Sequence, residues 1–164
     1  MALRKIITVD DNALHTKCKE IVKFDDSLQE FVNDLIETLH SVENAVGLAS
    51  PQVGILKRVA IVDVGKGPFV LINPVITETK GSVVGVEGCL SFPDRWARVQ
   101  RPAYVKVKTF DEKGNVKFFE GEGLLACAFC HEIDHLDGVV FLDKGEELSL
   151  AELNELQKNF NNGQ

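Results

Sequence analysis

Positive charge is in short supply in this chain. It carries 18 Lys and Arg against 25 Asp and Glu, a formal net charge of −7. That balance argues against a broad nucleic-acid or membrane-surface footprint and leaves room only for a local basic patch. No apolar run approaches the roughly 20 residues that a helix needs to span a bilayer. The opening MALRKIITVDDN has basic residues but no apolar stretch behind them, so no signal peptide is expected. Cysteine is scarce: Cys18, Cys89, Cys127 and Cys130 are the full set. With no export signal they read as free thiols or ligands in a reducing compartment, not as disulfides, and the cytoplasm is the expected location. Internal repeats, low-complexity linkers and shifts of composition are also missing. Nothing marks a boundary, and residues 1–164 are expected to form one domain with a sizeable core.

What is present is a layout of helices and short strands. Residues 1–24 look mostly extended or irregular, with Ile6, Ile7 and Val9 expected on the core. Residues 27–41 carry Leu28, Phe31, Val32, Leu35, Ile36 and Leu39, one continuous helical stripe, with Ser27 and Glu30 as a capping box. NAVGLASPQVG, 44–54, breaks that pattern and reads as a loop. Segments 58–64, 68–78 and 82–88 are rich in Val and Ile and bounded by Gly and Pro, as strands are. YVKVKTF, 104–110, alternates strictly, DEKGN is a turn, and 116–122 returns from it as a hairpin partner. Residues 139–143 look extended. A last helix, 149–160, opens with a second capping box, Ser149 and Glu152, and carries Leu150, Leu153, Leu156 and Phe160. The fold class expected is α+β: short, antiparallel-leaning sheets around one buried helix.

That helix lies in GLLACAFCHEIDHLDG, 123–138, apolar and free of Pro, with Gly only at its ends. Four residues advance a helix by about 400°, so His131 and His135 stand one above the other. Two imidazoles at that spacing can hold one divalent ion, with the Glu132 carboxylate beside it. HExxH has few fixed positions, and by itself it is equally compatible with two histidines that merely share a helix face. A third ligand must come from elsewhere. Cys127 lies on the same face, but 127, 131 and 135 span about 12 Å of helix axis, too far to meet at one ion. Cys130 points about 100° away from His131, so the Cys127/Cys130 pair reads as two small buried hydrophobes. Cys89, in VEGCLSFP, is better placed chemically, although alone it is equally a buried thiol. An HExxH zinc peptidase would draw its third ligand from Asp137, Asp143, Glu146 or Glu147, none at a diagnostic spacing. A purely structural site would be closed by four ligands.

Three motifs taken together resemble the peptide deformylase family: VGLASPQ at 46–52, against its G-x-G-L-A-A-P-Q pattern, EGCLS at 87–91, and HEIDH at 131–135. Their order and spacing agree, and the flanking regions are compatible from end to end. The resemblance implies a metal-dependent hydrolase that removes the formyl group from the N-terminal Met of nascent polypeptides. It implies Cys89, His131 and His135 as metal ligands and Glu132 as general base and acid. Gln52 and the backbone N–H of Leu90 would stabilise the oxyanion. Val46 and Gly47 would line an extended substrate, and Leu124, Leu125 and Cys127 would complete the wall with Val46. In the family the ion is usually Fe(II); thiolate plus two imidazoles also suits Zn(II), and another divalent ion can replace either. The implied partners are nascent formyl-Met peptides and, through C-terminal segments in relatives, the ribosome, although the last helix here carries only Lys158 as a cation. Neither a membrane nor a sequence-specific nucleic acid is expected, and a monomer is the default for this size. The chain departs from the family pattern at Ala45, Ser50 and Cys130, none of which is an implied ligand.

Overall fold

The computed structural model describes residues 2–162. The first long helix, α1 (Asp26–His40), buries the expected stripe, Leu28, Phe31, Val32, Leu35 and Leu39. Its start differs from the expectation. Asp25 is the N-cap, accepting from Leu28 N at 3.0 Å, and Ser27 lies inside the first turn. A carboxylate placed at the end of a helix both caps it and meets the positive end of its dipole. Of the leading apolar run, Ile6 and Ile7 pack on the core, but Val9 stays exposed. The segment around it carries a single 3-10 turn, Asn12–His15.

Among the described residues, eight strands form two antiparallel sheets. These are β1 (Gly47–Ala49), β2 (Val59–Val62), β3 (Phe69–Lys80), β4 (Val83–Cys89), β5 (Phe92–Arg101), β6 (Tyr104–Phe110), β7 (Val116–Glu122) and β8 (Glu146–Glu147). One sheet runs β1-β2-β3-β6-β7 and the other β4-β5-β8. The β6–β7 hairpin has the expected bounds, 104–110 from alternation and 116–122 from the turn between them, with Val105, Val107 and Thr109 buried between exposed or half-buried neighbours. Segment 44–54 is not a continuous loop. Gly47–Ala49 pair with β2, and Ser50–Val53 form a 3-10 turn.

Strand β5 escapes sequence reasoning because it is irregular where it begins. Cys89 pairs with Phe92 and Glu87 with Ala97, so residues 93–96 bulge opposite the single residue Gly88. Pro93 and Asp94 are poor strand formers, and Asp94 has a left-handed φ of 63°.

The HExxH helix, α2 (Leu124–Leu136), begins after Gly123, whose φ of 59° turns the chain out of β7. Ala126, Phe129, Ile133 and Leu136 fix its buried face against Ala60, Val62, Leu71, Val105 and Val107. Phe129 is fully buried, 5.3 Å from the Phe69 ring; removing a side chain of that kind typically costs about 3–5 kcal/mol. The helix is closed at its C-terminus by Cys18 N and Arg58 Nη1, which both donate to Leu136 O at 2.8 Å.

Of residues 139–143, Val140 is extended as expected but the rest of the run from Phe141 is helical. Phe141–Lys144 form a short helix, α3, capped by the Asp143 carboxylate on Val140 N at 3.0 Å and anchored by buried Phe141. The last helix, α4 (Leu150–Asn162), has the expected capping box: Ser149 N donates to Glu152 and Glu152 N to Ser149 Oγ. It covers little of the core, since Leu150 and Leu156 are exposed. The Phe160 side chain lies outside the described residues.

Candidate metal centre

Two layers of the fold meet at Cys89, His131 and His135. Cys89 ends β4, in the smaller sheet. The histidines stand on α2, which packs on the larger one. Their ligand atoms all lie within 4.8 Å of one another, and Cys89 Sγ is 3.4 Å from His135 Nε2. A tetrahedral ion with metal–sulfur and metal–nitrogen arms of about 2.3 and 2.0 Å would separate sulfur from nitrogen by about 3.5 Å. The donor set therefore fits one divalent ion. Cys127 and Cys130 stay outside the cluster, as expected, and burial pushes the Cys130 thiol up to about 11. Asp137, Asp143, Glu146 and Glu147 also lie outside it. Asp137 pairs with Arg58, and Glu147 with Arg95.

Each imidazole is held differently. His131 Nδ1 is 2.9 Å from Glu87 Oε1, which orients the ring and leaves Nε2 as its nitrogen for the cluster with Cys89 and His135. Burial opposes protonation of His131, but the Glu132 carboxylate, with Cys89 and Glu87, outweighs it and raises its pKa well above the usual value. His135 is fully buried; burial first, then the cationic His131 and Arg101, hold it well below that value. Coordination needs both imidazoles neutral, so binding an ion would release the proton from His131.

Glu132 is nearly as buried. Its Oε1 has no hydrogen-bond partner among the described residues, and its Oε2 lies 4.0 Å from His131 Nε2. Burial, opposed by His131, raises its pKa to about 7. A carboxyl with a pKa near neutrality, neither of whose oxygens is tied up in a hydrogen bond among the described residues, is suited to taking and returning a proton. Gln52 is fixed by its own loop. Its Oε1 accepts from Ala49 N at 2.9 Å, which leaves Nε2 as donor, 3.2 Å from Ser91 Oγ and 3.5 Å from Cys89 Sγ.

These groups face a cavity of about 480 Å³, the size of a small-ligand pocket. Cys89, Leu90, His131, Glu132 and Gln52 form its polar end, and Val46, Gly47, Leu124 and Cys127 its wall, with Pro93 and Trp96 from the β5 bulge. Leu125 is not part of this wall. It packs on Gly121, where an added Cβ would lie 2.8 Å from Leu125 Cγ, and borders a neighbouring hollow beside Tyr104. Adjacent helical residues diverge by about 100°, and Leu124, Cys127, Ala128 and His131 share the i, i+3, i+4, i+7 face that meets the cavity.

Sequence reasoning missed Glu87, Ser91, Arg101 and Trp96. Glu87 carried a signal, an acidic residue two positions before a candidate thiol ligand. Burial works against its charge, but Arg101 and His131 prevail and hold its pKa at about 2. Arg101 comes 14 residues after Glu87 in the chain and gave no local signal.

The model of the polypeptide deformylase family matches residues 3–151. A peptide deformylase of Caldicellulosiruptor bescii is 51% identical over 144 residues, 88% of this chain and 86% of the relative. Peptide deformylase 1 of Clostridium acetobutylicum is 51% identical over 88% of this chain and 95% of its own. Among solved structures, the crystal structure of the Thermotoga maritima peptide deformylase superposes with a TM-score of 0.84 at 39% identity, over 88% of this chain and 98% of that one. The Synechococcus elongatus enzyme in complex with actinonin gives 0.83 at 39% identity, over 94% and 85%.

Proposed function

Because the chain belongs to the polypeptide deformylase family, we propose that Cys89, His131 and His135 hold its divalent ion and that Glu132, Gln52 and Leu90 act on the formyl group beside it. The chain is a hydrolase that removes formyl from the N-terminal formyl-methionine of nascent polypeptides. The observation that carries the assignment of roles is the meeting of three ligand atoms within 4.8 Å, with Cys89 and His131 lining a cavity that Glu132 also lines. Fe(II) is the proposed ion, with Zn(II) or another divalent ion as a working substitute.

When bound, the ion supplies Lewis-acid polarisation and brings the acidity of water toward neutral pH. Glu132 accepts a proton from the attacking water and delivers it to the departing amine. The C–N bond breaks, and the products are formate and a free N-terminus. Negative charge gathers on the formyl oxygen while water adds. Gln52 Nε2 and the Leu90 N–H are the donors proposed for it, each worth about 10²–10³ in rate. Glu87 holds the His131 ring still through its Nδ1.

The Met side chain takes the apolar wall of Val46, Leu124 and Cys127. The peptide backbone adds as a strand beside Val46 and Gly47. That position is supported by the sheet order: among the described residues β1 pairs with β2 alone, so its other edge has no strand beside it. We take residues 1–164 as one catalytic domain, monomeric and cytoplasmic. No helix of the described residues is long and apolar enough to cross a membrane. A ribosome contact through α4 finds no support in its charge, Glu152 and Glu155 against Lys158.

Anaerobic treatment of formyl-Met-Ala-Ser, with metal measured on the same sample, tests the reading. Formate release with about one ion per chain, lost on chelation, is expected. Cleavage of an internal peptide bond instead would favour a peptidase, and bound metal with neither product would favour a structural site.

A further inference from the structure

We propose that Arg101 is a positioning residue, a strut between two layers of the fold that sets the separation of the thiolate ligand from the two imidazoles. The inference rests on Cys89, His131 and His135 being the ligands. Arg101 ends β5 and is buried, with 4% of its surface exposed. Its Nε and Nη2 donate to the two oxygens of Glu87, both at 2.8 Å. Its Nη1 donates to Asp134 Oδ2 at 2.6 Å. The two acceptors belong to different layers. Glu87 lies on β4, two residues before Cys89, and Asp134 lies on α2, immediately before His135.

The geometry of the ligands is not secured within either layer. Helical spacing fixes His131 relative to His135, but β4 belongs to the three-stranded sheet and α2 packs against the five-stranded one. A shift between the layers would move the sulfur relative to both nitrogens. One guanidinium reaches across that gap with three of its donors. It is planar, and its fork matches a carboxylate bidentately, so it fixes orientation as well as distance. Lysine, with one rotating ammonium, could not hold both acceptors in the same way. The Glu87 carboxylate continues the chain to His131 Nδ1 at 2.9 Å. Asp134 takes a second cation, Lys144 Nζ of α3, at 3.5 Å, so neither carboxylate held by Arg101 is left without a further cationic or hydrogen-bonding partner.

The test is the affinity of the protein for Co(II) and Zn(II), by competition with a chelator, with the visible and thiolate charge-transfer bands of Co(II) as a report on ligand geometry. Asp134→Asn keeps shape and the Glu87–His131 bond but releases the arm to α2. Arg101→Met removes the strut, and Arg101→Lys keeps the charge without the fork. Metal affinity should fall by about 10- to 100-fold in Arg101→Met and Asp134→Asn, the usual range for partners behind a ligand. Arg101→Lys should restore only part of it, and the Co(II) bands should shift in all three. A residue that only stabilised the fold would lower Tm and leave the affinity of the folded protein unchanged, and that result would overturn the proposal. Should Arg101→Met fail to fold, Asp134→Asn decides alone. No Co(II) binding by the unaltered protein would overturn the ligand assignment and the strut together, whereas normal binding by both the unaltered protein and Asp134→Asn would overturn the strut alone.

Discussion

Gly47 lies directly against the Glu132 carboxylate: a Cβ added to it would stand 2.7 Å from Glu132 Cδ and overlap Oε2. The backbone of Gly47 is ordinary strand, so the constraint is space alone. Gly47→Ala is expected to push the carboxylate off its position while leaving Cys89, His131 and His135 in place. The metal content should stay near one per chain and kcat should fall by about 10²–10⁴, the range of a displaced acid–base group. Unchanged kcat would mean that Glu132 can move without loss. Glu132→Gln serves as the matching control and should lose the same factor.

Gln52 performs two tasks that a substitution would separate. Its Oε1 satisfies Ala49 N at 2.9 Å, and its Nε2 is the proposed oxyanion donor. Gln52→Leu should lower kcat by about 10²–10³ and also leave a buried N–H without a partner, at a cost of about 1–3 kcal/mol. Stopped assays and thermal melts on one preparation would distinguish these effects. A loss of stability at full rate would remove Gln52 from the chemistry.

The parts of the fold that were legible in the sequence are those buried on one side only. The α1 stripe and the alternation of β6 state their own period, because one face meets the core and the other is less buried. The bulge at 93–96 opposite Gly88 has no such period, and α3 is too short to show one. The site divides in the same way. His131, Glu132 and His135 follow from helical spacing. Cys89 is a lone cysteine whose role depended on family resemblance. Leu124 and Leu125 are identical in composition, and only the start of α2 decides which one meets the cavity. Arg101 could not be found from pattern, since its two acceptors come from distant segments.

Acid stability should depend on Asp34, far from the metal centre. The bond from Ala2 N at 2.7 Å first, and then the Arg4 guanidinium, hold its carboxyl below the usual carboxylate value against the opposing effect of burial. A carboxyl with a lowered folded pKa stabilises the fold at every pH above its unfolded value, about 3.9. That contribution fades as pH falls through the folded value. Asp34→Asn should therefore lower Tm at pH 7 and flatten the decline of Tm below about pH 4. Parallel Tm-against-pH curves for the two proteins would show that Asp34 makes no such contribution.

Oxidation should strike Cys89 before the other thiols. A thiolate, not a thiol, reacts with peroxide. Burial raises the pKa of Cys18 and Cys130 to about 11 and that of Cys127 above its usual value, so all three stay protonated at neutral pH. Cys89 opens onto the cavity and, as a metal ligand, would be held as thiolate. Sulfenic or sulfinic acid at that sulfur weakens it as a donor. Peroxide should therefore remove activity and metal in the same proportion, with the modification found first on the peptide containing Cys89. Early oxidation of Cys127 instead, with metal retained, would place the sensitive thiol on the substrate wall and not at the ion.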